Sequence, residues 1–517
     1  MLSFTFLKYM DVAPRISGLL SQRKCSGLPS RCASMFRVPF TADRYNVRRR
    51  DYAKLSEDDL RVFRDIVGDS GVVTGPEDLE FYNVDWLRIC RGQSTVALRP
   101  KTTQQLSDIL KHCNTRKLAV CPQGGNTGLV GGSVPVFDEV VLSLNLMNHI
   151  ESLDTVSGTL ISQAGAVLET LENYASERGR VVPLDLGAKG SCQIGGNVAT
   201  NAGGLRFLRY GSLHSNVLGL ETVLADGTIL PFGTNMRKDN TGYHLHHSFI
   251  GSEGTLGVIT QVALLCPPKP SSVSLCFLGL NSFEDVLKCY DETSKALTDI
   301  LSAFEFLDTE CYTTSYQEHN VSPPLKPFPF YVMIEVSGWN AEGDTNRVSS
   351  LVETLMNKNL VIHGTIVNEP SHMLSLWKIR EGVAEALTRR GYVYKYDLSI
   401  PKREMYNLVE DVRKRMGSSV ESCSGYGHLG DNNLHLNIVT KDYYPEVTKQ
   451  LEPYIFEWTR KHKGSVSAEH GLGFKKRNVM QYSQSPQAIK LMQRMKELYD
   501  PNGILNPYKV LPDSFPS

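Results

Sequence analysis

The 517-residue chain has no excess of charge of either sign, because lysine plus arginine and aspartate plus glutamate each number 55. That balance argues against a dedicated nucleic-acid binder and against an acidic disordered chain. Long hydrophobic runs are missing too. The longest candidate, Val273 to Leu280, is far short of the eighteen or so residues that a membrane helix requires, so no membrane span is expected. The eleven cysteines stand singly from Cys25 to Cys423, with no C-x-x-C pair, which reads as reduced packing cysteines and not as a disulfide framework or zinc ribbon. What is present is a hydrophobic fraction of 41% and a charged fraction of 21%, as in soluble globular proteins, on a chain long enough for two or three domains.

The neutral total hides a basic N-terminus. Residues 1–50 hold ten basic and two acidic side chains, leaving 45 basic against 53 acidic in the remainder. A basic, serine-containing, acid-poor stretch broken by apolar residues has the composition of a mitochondrial transit peptide, and it lacks the compact apolar core of a secretory signal. Residues 1–50 are therefore expected to be a leader, cleaved before Tyr52, on a protein of the mitochondrial matrix.

Glycine is unevenly placed. The windows 124–132, 187–211 and 251–257 hold 15 of the 42 glycines, and each is bracketed by β-branched or apolar runs, so they are turns with close backbone approaches and not flexible linkers. The first follows a strand expected over Leu118 to Cys121 and a helix expected to be capped by Thr103. It reads Pro122-Gln-Gly-Gly-Asn-Thr-Gly-Leu-Val-Gly-Gly132, a loop whose exposed amides can converge on phosphate oxygens. Its spacing is not G-x-G-x-x-G, and no G-x-x-x-x-G-K-[ST] occurs in the chain.

Two further motifs follow in order, Ile194-Gly-Gly-Asn-Val-Ala-Thr-Asn-Ala-Gly-Gly204 and Gly251-Ser-Glu-Gly-Thr-Leu-Gly257. Together the three resemble the FAD-binding domain of the vanillyl-alcohol oxidase / p-cresol methylhydroxylase (PCMH) superfamily. The resemblance implies that Gln123, Gly124, Gly125, Asn126 and Thr127 hold the pyrophosphate. Gly195, Gly196, Asn197, Thr200, Asn201, Gly203 and Gly204 line the flavin, and Glu253, Gly254, Val258 and Ile259 contact the adenosine side or the isoalloxazine. Gly128, Ser133 and Asn506 complete the implied contacts. Relatives with covalent flavin often carry histidine after the glycine pair; Asn126 stands there, which implies dissociable FAD.

Beyond Pro267, Pro268 and Pro270 the pattern changes to β-α-β-β-α-β, with strands expected near 273–280, 303–307, 330–336 and 360–367, and helices from Ser282 and over 346–356. This is the split ferredoxin-like unit, an antiparallel sheet with helices on one face. The expected fold class is α+β. A PCMH-type FAD domain (51–268) is followed by a substrate and metal domain (269–485) and a C-terminal segment (486–517) that returns to the flavin.

Chemistry-bearing residues then crowd together. His428 and His435 flank a Gly-Asp-Asn-Asn turn, and Glu469-His470-Gly-Leu-Gly473 adds a carboxylate and an imidazole. An odd separation on one strand would place the two histidines on opposite faces, but an intervening turn can swing them together. Two histidines and a carboxylate with an open position form a catalytic divalent-metal set, zinc being the natural ion, while the same spacing is open to ordinary core and surface histidines.

The stretch Gly427 to Asn437, Ala468-Glu-His-Gly471 and the terminal Asp500-Pro-Asn-Gly-Ile-Leu-Asn-Pro507 resemble the flavin-linked D-2-hydroxyacid dehydrogenases over nearly all of the chain beyond the leader. That resemblance implies His428, His435 and Glu469 as zinc ligands, and Arg380, Lys395, Asn437 and His470 as substrate contacts, with His470 the general base. The implied reaction is oxidation of D-2-hydroxyglutarate to 2-oxoglutarate, with flavin N5 accepting the hydride and electron transfer flavoprotein reoxidising it. Arg380 suits a bidentate carboxylate clamp, or alternatively a helix-surface pair with Glu381, and Lys395 adds the charge a dicarboxylate needs. The family pattern is departed from at Asn432, where glycine is common, and at Ala384, where a hydroxyl residue is common. D-lactate oxidation, a non-redox transferase such as alkylglycerone phosphate synthase, and a flavin-binding subunit without turnover are the rivals.

Overall fold

The computed structural model describes residues 38–233 and 235–513, so the greater part of the expected leader lies outside the described residues. Its last ten residues do not behave as a leader. The Thr41 amide donates to the Arg91 carbonyl at 2.8 Å, the Arg91 amide donates back to Thr41 Oγ1 at 2.7 Å, and the Arg50 amide donates to the Tyr508 hydroxyl at 2.8 Å. Arg49 pairs with Asp138 at 2.6 Å. Residues 41–50 thus bond to the rest of the chain, and a count of charges cannot see that some of these arginines have partners in the fold.

The flavin lobe holds two sheets. In the first, β1 (Val72–Val73), β2 (Ala97–Leu98), β3 (Val120–Gln123) and β4 (Val140–Ser143) lie in the order β1-β2-β4-β3, with β4 parallel to both β2 and β3. The helix Thr103–Arg116 buries Leu106, Ile109, Leu110 and Cys113 in the lobe's core. Its cap is Thr102, whose hydroxyl accepts from the Gln105 amide at 3.2 Å; Thr103, expected as the cap, is already helical and donates to Glu221 at 2.6 Å. The second sheet is antiparallel, with β5 (Ile150–Asp154), β6 (Thr159–Gln163), β7 (Val217–Val223), β8 (Ile229–Phe232) and β9 (Val258–Leu265) in the order β5-β6-β9-β7-β8.

The second lobe is one seven-stranded antiparallel sheet. The expected β-α-β-β-α-β unit supplies β10 (Ser272–Leu280), β11 (Leu301–Asp308), β12 (Phe330–Gly338) and β13 (His363–Val367), paired in the order β13-β10-β12-β11. Ser282 caps the helix Phe283–Ala296 by accepting from the Asp285 amide at 3.1 Å. Three later strands, β14 (Tyr392–Ser399), β15 (Ser422–His428) and β16 (Asn433–Thr440), extend the sheet past β11 in the order β15-β16-β14. One face, carrying Leu278, Phe306, Ile334, Leu398 and Ile438, packs on helices that include Phe283–Ala296, Ala341–Asn357 and Met405–Met416. The other face is partly covered as well: Phe277, Tyr331 and Met333 meet the short helices Thr309–Glu318, Pro370–Glu381 and Val383–Arg390. The first of these escaped the sequence because its buried side is made of Cys311, Tyr312, Thr314 and Ser315, which gives no clear apolar stripe. The uncovered part of this face is polar, and it holds the site.

A charged junction joins the lobes. Arg206 pairs with Asp185 and, at 3.0 Å, with Glu335 of β12, while Lys189 lies 3.3 Å from Asp185 and 3.8 Å from Glu172. Burial, aided by the Asp185 charge, pushes the Glu172 carboxyl up to about 7 against the pull of Lys189 and Arg206. Between the unfolded value of about 4.3 and that raised value, the folded protein holds a proton the unfolded chain has lost, so stability falls as pH rises through the window. Glu172→Gln is expected to stabilise the protein by on the order of 2 kcal/mol at pH 7.5 and by much less at pH 5. Denaturant unfolding at the two pH values checks this, and equal gains at both would contradict it.

Candidate active site

Acids in the interior of buried strands are costly unless they hold something, and β11, β12 and β14 carry Glu305, Glu335 and Asp397 there, with Asp308 a second acid at the end of β11. Register puts two of them beside histidines. Glu305 pairs across to His428 on β15, Tyr426 pairs to His435 on β16, and Asp397 of β14 pairs to the same His435. Paired positions and alternate residues share a sheet face, so Glu305, His428, His435, Asn437, Asp397 and Lys395 all project to one side. The turn between β15 and β16 brings the two histidines together as expected, and Asn432, in place of the common glycine, takes the left-handed conformation there at φ 73°, which asparagine tolerates well.

Glu469 arrives from a loop and is the point of convergence. Its Oε1 lies 3.8 Å from His428 Nε2, 3.7 Å from His435 Nε2 and 3.5 Å from His470 Nε2. Behind the rings, His428 Nδ1 is bonded to Glu305 Oε1 at 2.8 Å, while His435 Nδ1 and His470 Nδ1 face Asp397 at 3.7 and 3.5 Å. Imidazoles with one nitrogen toward a carboxylate and the other toward a common point form the arrangement of metal-bound histidines and their outer partners. Among the described residues, the group whose ligand atoms all lie within 4.8 Å of one another is Asp397, His435, Glu469 and His470, which adds Asp397 and His470 to the expected ligands and leaves out His428. The oxygens of Asp397 are already hydrogen-bonded: Oδ1 accepts from Asn433 at 2.8 Å, and Oδ2 accepts the amides of Ala468, Glu469 and His470 at 3.2, 3.1 and 3.0 Å. The donor set His428, His435 and Glu469 suits a divalent ion such as zinc.

The charges agree with this arrangement. Burial alone would lower the His428 imidazolium, but Glu305 and a hydrogen bond to Glu469 raise it to about 10. Burial alone would raise Glu469, yet His428 and His470 hold it well below the usual carboxylate range. His435 is held well below its ordinary value by burial and by the neighbouring His428 charge. The protonated form is thus favoured at His428, beside the ionised Glu469 carboxylate.

Around this centre the implied substrate residues gather. Arg380 is buried at 4% exposure, so it is not on the helix surface and its partner is Glu305, not Glu381: Nε donates to Glu305 Oε2 at 2.8 Å. Its Nη2, 2.6 Å from that oxygen, has no well-directed acceptor. Lys395 sits opposite Asn437 in the β14–β16 register, and burial lowers its ammonium against the pull of Asp397 and Glu469. Asn437 is fully buried and donates to the His435 carbonyl at 3.1 Å, but its Oδ1 has no partner; neither has the hydroxyl of Ser424, opposite it in register. Ala384 is half-buried at the start of the helix Val383–Arg390.

The adjoining cavity is lined by Gln123, Gly124, Gly125, Asn126, Thr127, Gly128, Ser133, Gly195, Gly196, Asn197, Thr200, Glu253, Gly254, Val258 and Ile259, and by His470. Of the implied flavin contacts, Asn201, Gly203, Gly204 and Asn506 are not in this lining. The Gly204 amide instead donates to Glu469 Oε2 at 3.0 Å, and Asn506 Nδ2 donates to the carbonyls of Gly132 and Glu253. The cavity suits a flavin: a Cβ at Gly125 would stand 2.1 Å from the Ser191 carbonyl, and the buried side-chain oxygens of Gln123, Gln193 and Asn197 lack protein partners. Asn126 donates to the carbonyls of Phe81 and Val84 and accepts from Ser133, so its amide is spent on holding the loop.

Glu253 has a role the sequence did not suggest. Its carboxylate accepts the amides of Leu472 and Gly473 at 2.7 and 2.8 Å, so the loop bearing Glu469 and His470 is held by Asp397 of one lobe and Glu253 of the other. A side chain at Gly471, φ 75°, would stand 2.7 Å from that carboxylate. Sequence reading missed Glu305, Asp397 and Ser424; the available signal was an acid within a buried strand. All nine cysteines among the described residues are unpaired and buried, as expected, and no helix among them is long and apolar enough to cross a membrane.

Comparison with known proteins gives two family matches, the FAD binding domain over residues 94–233 and the C-terminal domain of FAD linked oxidases over residues 269–510. The mitochondrial D-2-hydroxyglutarate dehydrogenase of Rattus norvegicus is 54% identical, covering 95% of this chain and 90% of its own. A putative mitochondrial D-lactate dehydrogenase of Schizosaccharomyces pombe is 49% identical, covering 91% and 93%. Among solved structures, substrate-bound p-cresol methylhydroxylase superposes with a TM-score of 0.70 at 17% identity, covering 89% of this chain and 98% of its own. That likeness bears on the fold alone.

Proposed function

Since the chain belongs to the family of FAD-linked oxidases that includes the D-2-hydroxyglutarate dehydrogenases, and is an FAD-dependent oxidoreductase, we propose that it oxidises D-2-hydroxyglutarate to 2-oxoglutarate in the mitochondrial matrix with the help of a divalent ion, zinc by preference. The observation that carries this reading is the convergence of three imidazoles on Glu469, beside a cavity that His470 also lines.

A bound, non-covalent FAD would supply a hydride acceptor, and a divalent ion would supply Lewis-acid stabilisation of negative charge. His428, His435 and Glu469 would hold the ion, with Glu305 and Asp397 fixing the ring orientations. Arg380, with its unsatisfied Nη2, takes one substrate carboxylate, and Lys395 takes the other. Asn437 and Ser424 offer the remaining hydrogen-bonding groups. His470, present in both the cavity lining and the ligand loop, receives the hydroxyl proton at Nε2. Reoxidation of the cofactor would need an external electron acceptor, for which electron transfer flavoprotein is our reading. Lys395 favours a dicarboxylate over D-lactate.

Anaerobic mixing with substrate is the direct test. D-2-hydroxyglutarate is expected to bleach the flavin rapidly, a chelator to suppress the bleaching, and L-2-hydroxyglutarate and D-lactate to act far more slowly. Bleaching by D-lactate alone would transfer the assignment to lactate, and none by any 2-hydroxy acid would refute it.

A further inference from the structure

Four of the thirteen histidines gather on the flavin lobe, and none lines the flavin cavity or belongs to the substrate centre. His214 lies in the short helix Leu213–Asn216, while His246 and His247 lie in the single turn Leu245–Ser248, with His244 just before it. The His246 and His247 rings are 4.3 Å apart between centroids. His214 and His247 are 5.1 Å apart with planes within 13° of parallel, and His244 and His247 are 5.6 Å apart. The closest approach is between ring nitrogens: His214 Nδ1 and His247 Nδ1 stand 2.9 Å apart. One ring must donate and the other accept, so the two cannot both carry a proton there.

Imidazoles packed in this way repel when charged and can share a cation when neutral. Burial lowers the imidazolium of His214 and of His247, and of His246 to about 4, with the neighbouring rings adding to the effect on the last two. At neutral pH the cluster therefore presents lone pairs. We propose that His214, His247 and His246 form a second metal site, distinct from the substrate centre, which binds zinc or a similar imidazole-preferring divalent ion. Two nitrogen ligands on tetrahedral zinc stand about 3.3 Å apart, given bonds of about 2.0–2.1 Å. The His214–His247 pair, 2.9 Å apart at Nδ1, needs only a few tenths of an ångström to reach that separation, and His246, its ring centroid 4.3 Å from that of His247, is the neighbouring third imidazole. An all-imidazole set selects zinc, nickel or copper over calcium or magnesium.

The site's placement gives it a structural consequence. The Leu245–Ser248 turn runs into Phe249, whose amide donates to the His246 carbonyl at 3.1 Å, and then into Gly251 and Glu253, whose amides donate to Val198 and Ala199 at 3.1 and 2.7 Å. Glu253 walls the flavin cavity. An ion joining His214 to His247 would brace that wall from outside.

Metal-free protein titrated with zinc chloride against a chromophoric chelator is the test. The parent is expected to take two equivalents, and His214→Ala/His247→Ala one, with flavin reduction by D-2-hydroxyglutarate changed by less than about twofold since these are partly exposed residues outside the catalytic set. His428→Ala/His435→Ala should also retain one equivalent, and cobalt(II) should give visible ligand-field bands in that protein but not when all four histidines are replaced. Equal zinc uptake by the parent and His214→Ala/His247→Ala, or no uptake by His428→Ala/His435→Ala, overturns the proposal. One equivalent in the parent that survives loss of His428 and His435 but not of His214 and His247 supports this site while removing the metal from the substrate centre.

Discussion

His470→Ala is expected to slow flavin reduction by D-2-hydroxyglutarate about 10²–10⁴-fold, the usual contribution of a positioned general base, while leaving zinc content unchanged. The reason is the position of the ring. His470 Nε2 stands 3.5 Å from Glu469 Oε1, its ring lies nearly parallel to that of His435 with centroids 5.7 Å apart, and the residue lines the flavin cavity. It is thus beside both the proposed ligand set and the cavity proposed for the flavin. Single-turnover flavin bleaching and metal analysis of the same preparation separate the two roles the geometry allows. Loss of the ion together with the rate would make His470 a ligand in the set that Asp397, His435 and Glu469 complete, and the base would have to be sought elsewhere.

The largest effect on the folded state is expected from Asp397. This carboxylate, 1% exposed, accepts three consecutive loop amides and the Asn433 amide, and stands 3.9 Å from the buried Lys476 ammonium. Asp397→Ala leaves those donors and that cation without their acceptor, at an expected cost of about 3–5 kcal/mol. Asp397→Asn keeps the shape but presents an NH₂ where amides already point, and is expected to weaken zinc binding about 10–100-fold, as loss of an outer partner does. Denaturant unfolding and zinc competition measure the two effects. Unchanged zinc affinity in Asp397→Asn would reduce Asp397 to a packing role. Burial alone would raise this carboxyl, but His470, Lys476 and His435 hold it below the ordinary range. Its stabilising contribution is therefore full above about pH 3.9 and lost as pH falls below that toward the depressed folded value.

The sites at Glu172 and at His214 and His247 show how little of such chemistry can be seen in a linear sequence. Glu172 is unremarkable in the sequence, and its carboxyl is raised only when folding buries it beside Asp185. His214 is thirty residues from the other members of its cluster.

Local signals did determine a great deal. Glycine-rich turns flanked by β-branched runs marked the flavin cavity because only a bare backbone can approach so closely, as at Gly125. Strand and helix periodicity with a serine cap gave the split β-α-β-β-α-β unit, since both are encoded within a few residues. The histidines and Glu469 were recognisable by type and spacing. Composition alone could not show that residues 41–50 bond to the rest of the chain, because Arg49 needs Asp138 and Arg50 needs Tyr508 before they count as part of the fold.

Only the tertiary structure decided what surrounds those residues. The sheet order β11-β15-β16-β14 joins strands far apart in the chain, and that order alone places Glu305 behind His428 and Asp397 behind His435 and His470. Likewise, the 468–473 loop has no regular hydrogen bonding of its own, so its amides are satisfied by Asp397 and Glu253 from opposite lobes. Residue types are written locally, whereas the partners that fix an imidazole's orientation or satisfy a buried amide are set by long-range pairing, which no short window of sequence contains.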